Sequence, residues 1–127
     1  MGTDRTLPES ELDIMLVIWE NGGQASAPAI LDRLQRPLTA SALHSYLKRL
    51  EEKAFLTCTK QGKMNLYTAL VSREAYRHSA GTSMLKKLYD GSLSRFAAAL
   101  YGGRKIRQEE LEQLQTLLDD LSREVAE

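Results

Sequence analysis

A mostly α-helical fold with one small β-hairpin is predicted from three observations. Apolar residues recur at helical spacing in three short segments between residues 7 and 53. Two strand-like runs follow at once, joined by a basic turn that contains glycine. Everything after residue 71 reads as helix. In the first segment Leu12, Met15, Leu16 and Trp19 form the apolar stripe, and Asn21-Gly22-Gly23 stops the helix. Ser26 is the N-cap candidate for a short second helix that carries Ile30, Leu31 and Leu34. After Pro37, Thr39 is the cap candidate for a third helix that buries Leu43, Leu47 and Leu50. Strands are expected over Phe55 to Lys60 and Lys63 to Thr68, with Gln61-Gly62 at the turn. Three helices and then a hairpin is the order of a winged helix-turn-helix, a module that lays its third helix in the major groove of DNA.

The remainder divides the chain into residues 1–71 and 72–127. Ser72 is placed to cap a long helix with Tyr76, Ala80, Met84, Leu85, Leu88 and Tyr89 on one stripe, ended by Asp90-Gly91. Gly81 interrupts it and marks a bend or a close contact. Leu93, Phe96, Ala97 and Leu100 define a fifth helix, stopped by Gly102-Gly103. In the last helix Leu111, Leu114, Leu118, Leu121 and Val125 are spaced 3, 4, 3, 4, the alternation of a coiled-coil seam. A lobe of this size cannot bury three apolar stripes within itself. Two copies that interlock these helices resolve the problem, with Leu85, Leu88, Leu93, Phe96, Leu100, Leu111, Leu114, Leu118 and Leu121 at the interface. The other solution packs the last helix back on its own first domain.

Seventeen basic and seventeen acidic residues leave the 127-residue chain with no net charge, which counts mildly against a nucleic-acid partner. The distribution counts the other way. Between Arg36 and Lys63 six cations (Arg36, Lys48, Arg49, Lys53, Lys60, Lys63) face only Glu51 and Glu52, a local excess of four. The compensating acid lies in the first helix and the last. One cysteine, Cys58, excludes an internal disulfide and a cysteine-rich zinc site and fits a reducing cytoplasm. No membrane span or signal peptide is expected; Met1 to Thr6 matches a myristoylation pattern, read here as chance.

With Leu43, Leu47 and Leu50 turned inward, the third helix offers Thr39, Ser41, Ala42, His44 and Ser45 to base edges from its N-terminal half. Lys48 and Arg49, a turn later, suit phosphates, as do Lys60 and Lys63 beside the hairpin tip. His44 and His78 fall in different segments with no cysteine near, so no metal and no cofactor is expected. Trp19 and Tyr67 read as core anchors and Cys58 as a small, half-buried apolar residue. Neither a serine–histidine–acid set nor a phosphate-binding glycine loop occurs, and an enzyme is not expected.

Leu7-Pro8-Glu9-Ser10-Glu11-Leu12-Asp13-Ile14-Met15 with Val17-Ile18-Trp19 resembles the opening of the penicillinase and methicillin-resistance repressors, the BlaI/MecI type. Leu47-Lys48-Arg49-Leu50-Glu51-Glu52-Lys53-Ala54-Phe55-Leu56 resembles the end of their recognition helix. Lys60-Gln61-Gly62-Lys63 with Tyr67 resembles their wing, and Leu88-Tyr89-Asp90-Gly91-Ser92-Leu93 their dimerisation lobe. The similarity runs collinearly over about residues 7–121. It implies a homodimeric repressor on a palindromic double-stranded operator of the TACA/TGTA kind. A membrane sensor metalloprotease is the implied second partner, cutting an Asn-Phe bond in the fifth helix. The matching segment here is Ala98-Ala99-Leu100, and Ala42 and His44 stand where the family places Thr and Arg. The cysteine-rich tail of the related copper-responsive branch is missing. A protein-interaction module built on the same fold is the competing expectation.

Overall fold

The computed structural model describes residues 6–102 and 105–126; the myristoylation pattern, Thr6 apart, and Gly103 lie outside them. The order is α1 (Glu9–Glu20), β1 (Gln24–Ser26), α2 (Ala27–Arg33), α3 (Ala40–Glu52), β2 (Leu56–Gln61), β3 (Met64–Ala69), α4 (Arg73–Tyr89), α5 (Leu93–Tyr101) and α6 (Gln108–Ala126). This is the mostly helical winged helix-turn-helix with three following helices that the sequence predicts.

The caps explain where the helices begin. The side-chain oxygens of Ser26, Thr39 and Ser72 accept from the amides of Ala29, Ala42 and Ala75, and Ser92 does the same for Arg95. At the other end of α1, Gly22 and Gly23 take φ of 80° and 92°, a turn that side chains resist.

Two expectations shift. The buried face of α1 is centred on Ile14, Met15 and Ile18, while Leu12 and Trp19 are half-buried and Leu16 is exposed. Residues 14–19 are apolar without interruption, so spacing alone selects no unique face. The hairpin sits one residue late: Gln61 pairs with Met64, and Gly62-Lys63 makes the turn. Gly62 has φ of 66°, which suits the first position of a two-residue hairpin loop.

A strand that the pattern did not announce, β1, joins the sheet in the order β1-β3-β2, all antiparallel, with Ala25 opposite Tyr67 and Cys58 opposite Tyr67 on the other side. The core gathers Ile14, Met15, Ile18, Ile30, Leu43, Leu47, Leu50, Phe55 and Leu56. Tyr76 of α4 closes it, lying against Trp19 and edge-on to Phe55. Trp19 donates its indole N–H to the Val71 carbonyl at 2.8 Å. The first turn of α4 therefore belongs physically to the N-terminal core.

Beyond Ala80 the character changes. Tyr89 and Phe96 meet edge-on across α4 and α5, and Tyr101 donates to Glu110 at the start of α6. Among the described residues of α6, no apolar side chain is buried. α4 runs unbroken through Gly81, where a Cβ would meet nothing within 4 Å, so the glycine makes no close contact within one chain.

Candidate nucleic-acid interface

Helix α3 is held from beneath and presented from above. Leu43, Leu47 and Leu50 are essentially inaccessible, while Ser41, His44, Ser45, Lys48 and Arg49 are exposed on the opposite side. Thr39 is exposed too, but its Oγ1 is engaged as the helix cap, and Ala42 is half-buried. Within the expected reading set, Ser41, His44 and Ser45 thus stand fully free of the core.

The cations divide cleanly. Arg36, in the loop before α3, pairs with Glu9 and lies 3.7 Å from Asp13, both on α1. Lys53, at the C-cap of α3, contacts the buried Glu11 at 2.5 Å. Among the described residues, no ion pair engages Lys48, Arg49, Lys60 or Lys63. Two of the six cations between Arg36 and Lys63 are consequently neutralised by α1, and the other four face solvent outside any ion pair among the described residues. Lys60 and Lys63 are exposed on the wing, with Gln61, Gly62, Met64 and Asn65 between and beside them.

Tyr46 has a role that the apolar pattern does not announce. The guanidinium of Arg49 lies 5.5 Å from its ring centroid, a cation–π contact that limits where Arg49 can swing. The i, i+3 spacing on one helix is the signal that could have found it. On the sheet, burial first, and then the Cys58 thiol across the strand pair, push the Tyr67 phenol above its ordinary value. Tyr67 is a core anchor and Cys58 is half-buried beside it.

The other expected residues lie far along the chain. Leu85 and Phe96 are half-buried, and Leu88, Leu93, Leu100, Leu111, Leu114, Leu118 and Leu121 are exposed. A shallow groove of about 400 Å³ between α4 and α5 is lined by Gly81, Met84, Leu85, Leu93 and Phe96 among others. Ala98, Ala99 and Leu100 are exposed within α5. His44 and His78 are exposed on α3 and α4, and no group of three metal-ligating side chains occurs among the described residues. No described helix is long and apolar enough to cross a membrane.

The family model described as penicillinase repressor matches residues 7–120. The chain belongs to the penicillinase repressor family. It is 24% identical over 115 residues to the methicillin resistance regulatory protein MecI of Mammaliicoccus sciuri, covering 89% of this chain and 93% of that one. It is 24% identical over 116 residues to the penicillinase repressor of Bacillus licheniformis, covering 90% of each. Its backbone is similar to that of an organohalide-sensing transcriptional regulator in its ligand-free form. That likeness has a TM-score of 0.53 at 15% identity and covers 94% of this chain and 64% of the other, which speaks to the fold alone. As a member of this family the protein is a DNA-binding transcriptional repressor, and the family and its structural neighbours are regulators rather than enzymes.

Proposed function

We propose that the repressor binds an inverted-repeat duplex as a homodimer, each protomer laying α3 in the major groove and its wing along the flanking backbone. The observation that carries this reading is the division of cations: Lys48, Arg49, Lys60 and Lys63 are exposed with no acidic partner among the described residues, whereas Arg36 and Lys53 are engaged by α1. Lysine and arginine without acidic partners are what phosphate contacts require, because each neutralised phosphate releases condensed counterions. Ser41, His44 and Ser45 read base edges, Thr39 and Ala42 let the backbone come close, and the four cations position the protein.

Dimerisation follows from the unburied apolar surface. Leu111, Leu114, Leu118 and Leu121 form an exposed ridge on α6, and the α4–α5 groove has largely apolar walls. Residues 1–71 then act as the DNA-binding domain and 72–127 as the dimerisation domain. A twofold pair of winged domains suits a palindromic operator. The names of the relatives point to antibiotic-resistance genes as the regulated class. A membrane sensor metalloprotease that cuts an Asn-Phe bond finds no such bond at Ala98-Ala99-Leu100, so proteolytic release from DNA would need a different bond.

The test is a fluorescence-anisotropy titration on duplex DNA across a range of salt. Affinity is expected to fall steeply with salt, and replacing both Lys60 and Lys63 with Ala is expected to lower the slope by about two units per protomer, about four for the bound dimer. Salt-independent behaviour would favour a protein-interaction module, and an unchanged slope in the double variant would remove the wing from the backbone.

A further inference from the structure

Glu11 lies on the inward side of α1 and is only 2% exposed. Its ion-pair partner, Lys53, is not among the residues proposed to meet DNA. Its Oε1 lies 2.5 Å from Nζ of Lys53, which is itself 24% exposed and caps the C-terminal end of α3. Burying a carboxylate is costly even when it is paired, and an apolar pair of similar volume commonly stabilises a fold as well. Stability alone therefore gives little reason for a charge at this point. A hydrogen-bonded ion pair contributes direction: it has one good separation, whereas packed aliphatic chains tolerate sliding.

That direction matters at Lys53. Leu43, Leu47 and Leu50 decide which face of α3 turns inward. The contact to Glu11 ties the C-terminal end of the helix to α1. One residue later the chain reverses at Ala54, Phe55 is buried, and β2 starts the wing at Leu56. At the opposite end of α3, Arg36 is drawn to Glu9 and Asp13 on the same helix as Glu11. Those contacts are exposed and contribute less, so the buried pair dominates.

We infer that Glu11, acting through Lys53, is a positioning residue for operator recognition, holding the reading helix and the root of the wing in one register. The inference rests on the DNA-binding reading above. Groups that read a ligand must be held to within about 0.5 Å, and loss of the tie degrades base contacts before it affects phosphate contacts.

The experiment first recovers a preferred duplex from randomised DNA with the full-length wild-type protein. Affinity for that duplex and for a scrambled duplex is then measured for wild type and for the double variant Glu11→Met with Lys53→Met. The ratio of the two affinities is expected to fall by about tenfold, the order of one degraded base contact. The salt slope is expected to stay at its wild-type value, which it would not if Lys53 itself met a phosphate. The conservative Lys53→Arg variant is expected to keep most of the ratio. If the double variant does not fold by circular dichroism, Lys53→Gln serves in its place. It keeps one donor for Glu11 without the charge and is expected to give a smaller loss of the same ratio. A folded variant with an unchanged ratio, or with a slope lowered by about one unit per protomer, overturns the positioning role alone. A wild-type protein that selects no duplex overturns the DNA reading and this inference with it.

Discussion

The amide of Leu7 donates to the hydroxyl of Tyr76 at 2.8 Å, across 69 residues of sequence, in a buried setting. The bond ties the segment before α1 to the first turn of α4, and the same ring packs on Trp19 and Phe55. Replacing Tyr76 with Phe keeps the ring but leaves a buried N–H without its acceptor. That change is expected to cost about 1–3 kcal/mol of stability by urea unfolding. An unchanged midpoint would show that the amide finds another acceptor.

A second expectation concerns Ala54. It adopts φ of 64° where α3 gives way to β2, while its amide and that of Phe55 return to the carbonyls of Glu51 and Leu50. This is a helix C-terminal motif that glycine fills without a Cβ clash. Alanine there carries strain, partly offset by the entropy that glycine loses on folding. Ala54→Gly is expected to stabilise the protein by about 0.5–1 kcal/mol, seen as a rise of a few degrees in Tm. A fall in Tm would mean that the unfolded-state entropy outweighs the strain.

Local signals were legible and distant ones were not. Ser26, Thr39 and Ser72 are recognisable as caps because the competition between side chain and backbone is settled within three residues. The strand β1 is three residues long and owes its existence to bonds offered by β3, so no alternation could announce it. Within the candidate interface, the outward face of α3 followed from the three leucines. The pairing of Glu11 with Lys53 joins residues 42 apart and depends on how α1 crosses the end of α3, which no periodicity encodes. The wing turn moved by one residue because Gly62 supplies the positive φ at the first turn position, which leaves Gln61 in the ladder.

Tyr67 gives a test by pH. Burial, followed by Cys58, raises the folded-state pKa of its phenol above the ordinary value of 10.0. The native state therefore keeps this proton over a range in which the unfolded chain has released it. The resulting stability is fully present below the unfolded value and is lost as pH rises through the folded one. Wild type is expected to lose stability above pH ~10 more steeply than Tyr67→Phe. Urea midpoints of the two proteins running parallel from neutral to alkaline pH would contradict this.

The α6 ridge yields an expectation about assembly. Leu114 and Leu118 are 39% and 51% exposed in the single chain, so Asp at both positions leaves the fold of one protomer largely undisturbed. In a shared core the same charges would be buried without partners, at high cost. The double variant is expected to sediment as a monomer at low micromolar concentration while wild type sediments as a dimer. A dimeric variant would place the interface away from the ridge.

His44 is the sharpest test of sequence readout. It is exposed on α3 between the core positions Leu43 and Leu47, with Ser41 and Ser45 beside it. An imidazole offers one donor and one acceptor when neutral, whereas a guanidinium offers a fork suited to the O6 and N7 of guanine. His44→Arg is therefore expected to change which base is preferred at one position of each half-site, with about 1–3 kcal/mol at stake for each base so recognised. Lys60→Ala, by contrast, is expected to weaken all duplexes alike, because phosphates carry no sequence. Selection from randomised DNA at one fixed salt concentration, run in parallel for the three proteins, separates the two behaviours. If wild type and His44→Arg recover the same motif, His44 does not touch a base, and readout on α3 falls to Ser41 and Ser45.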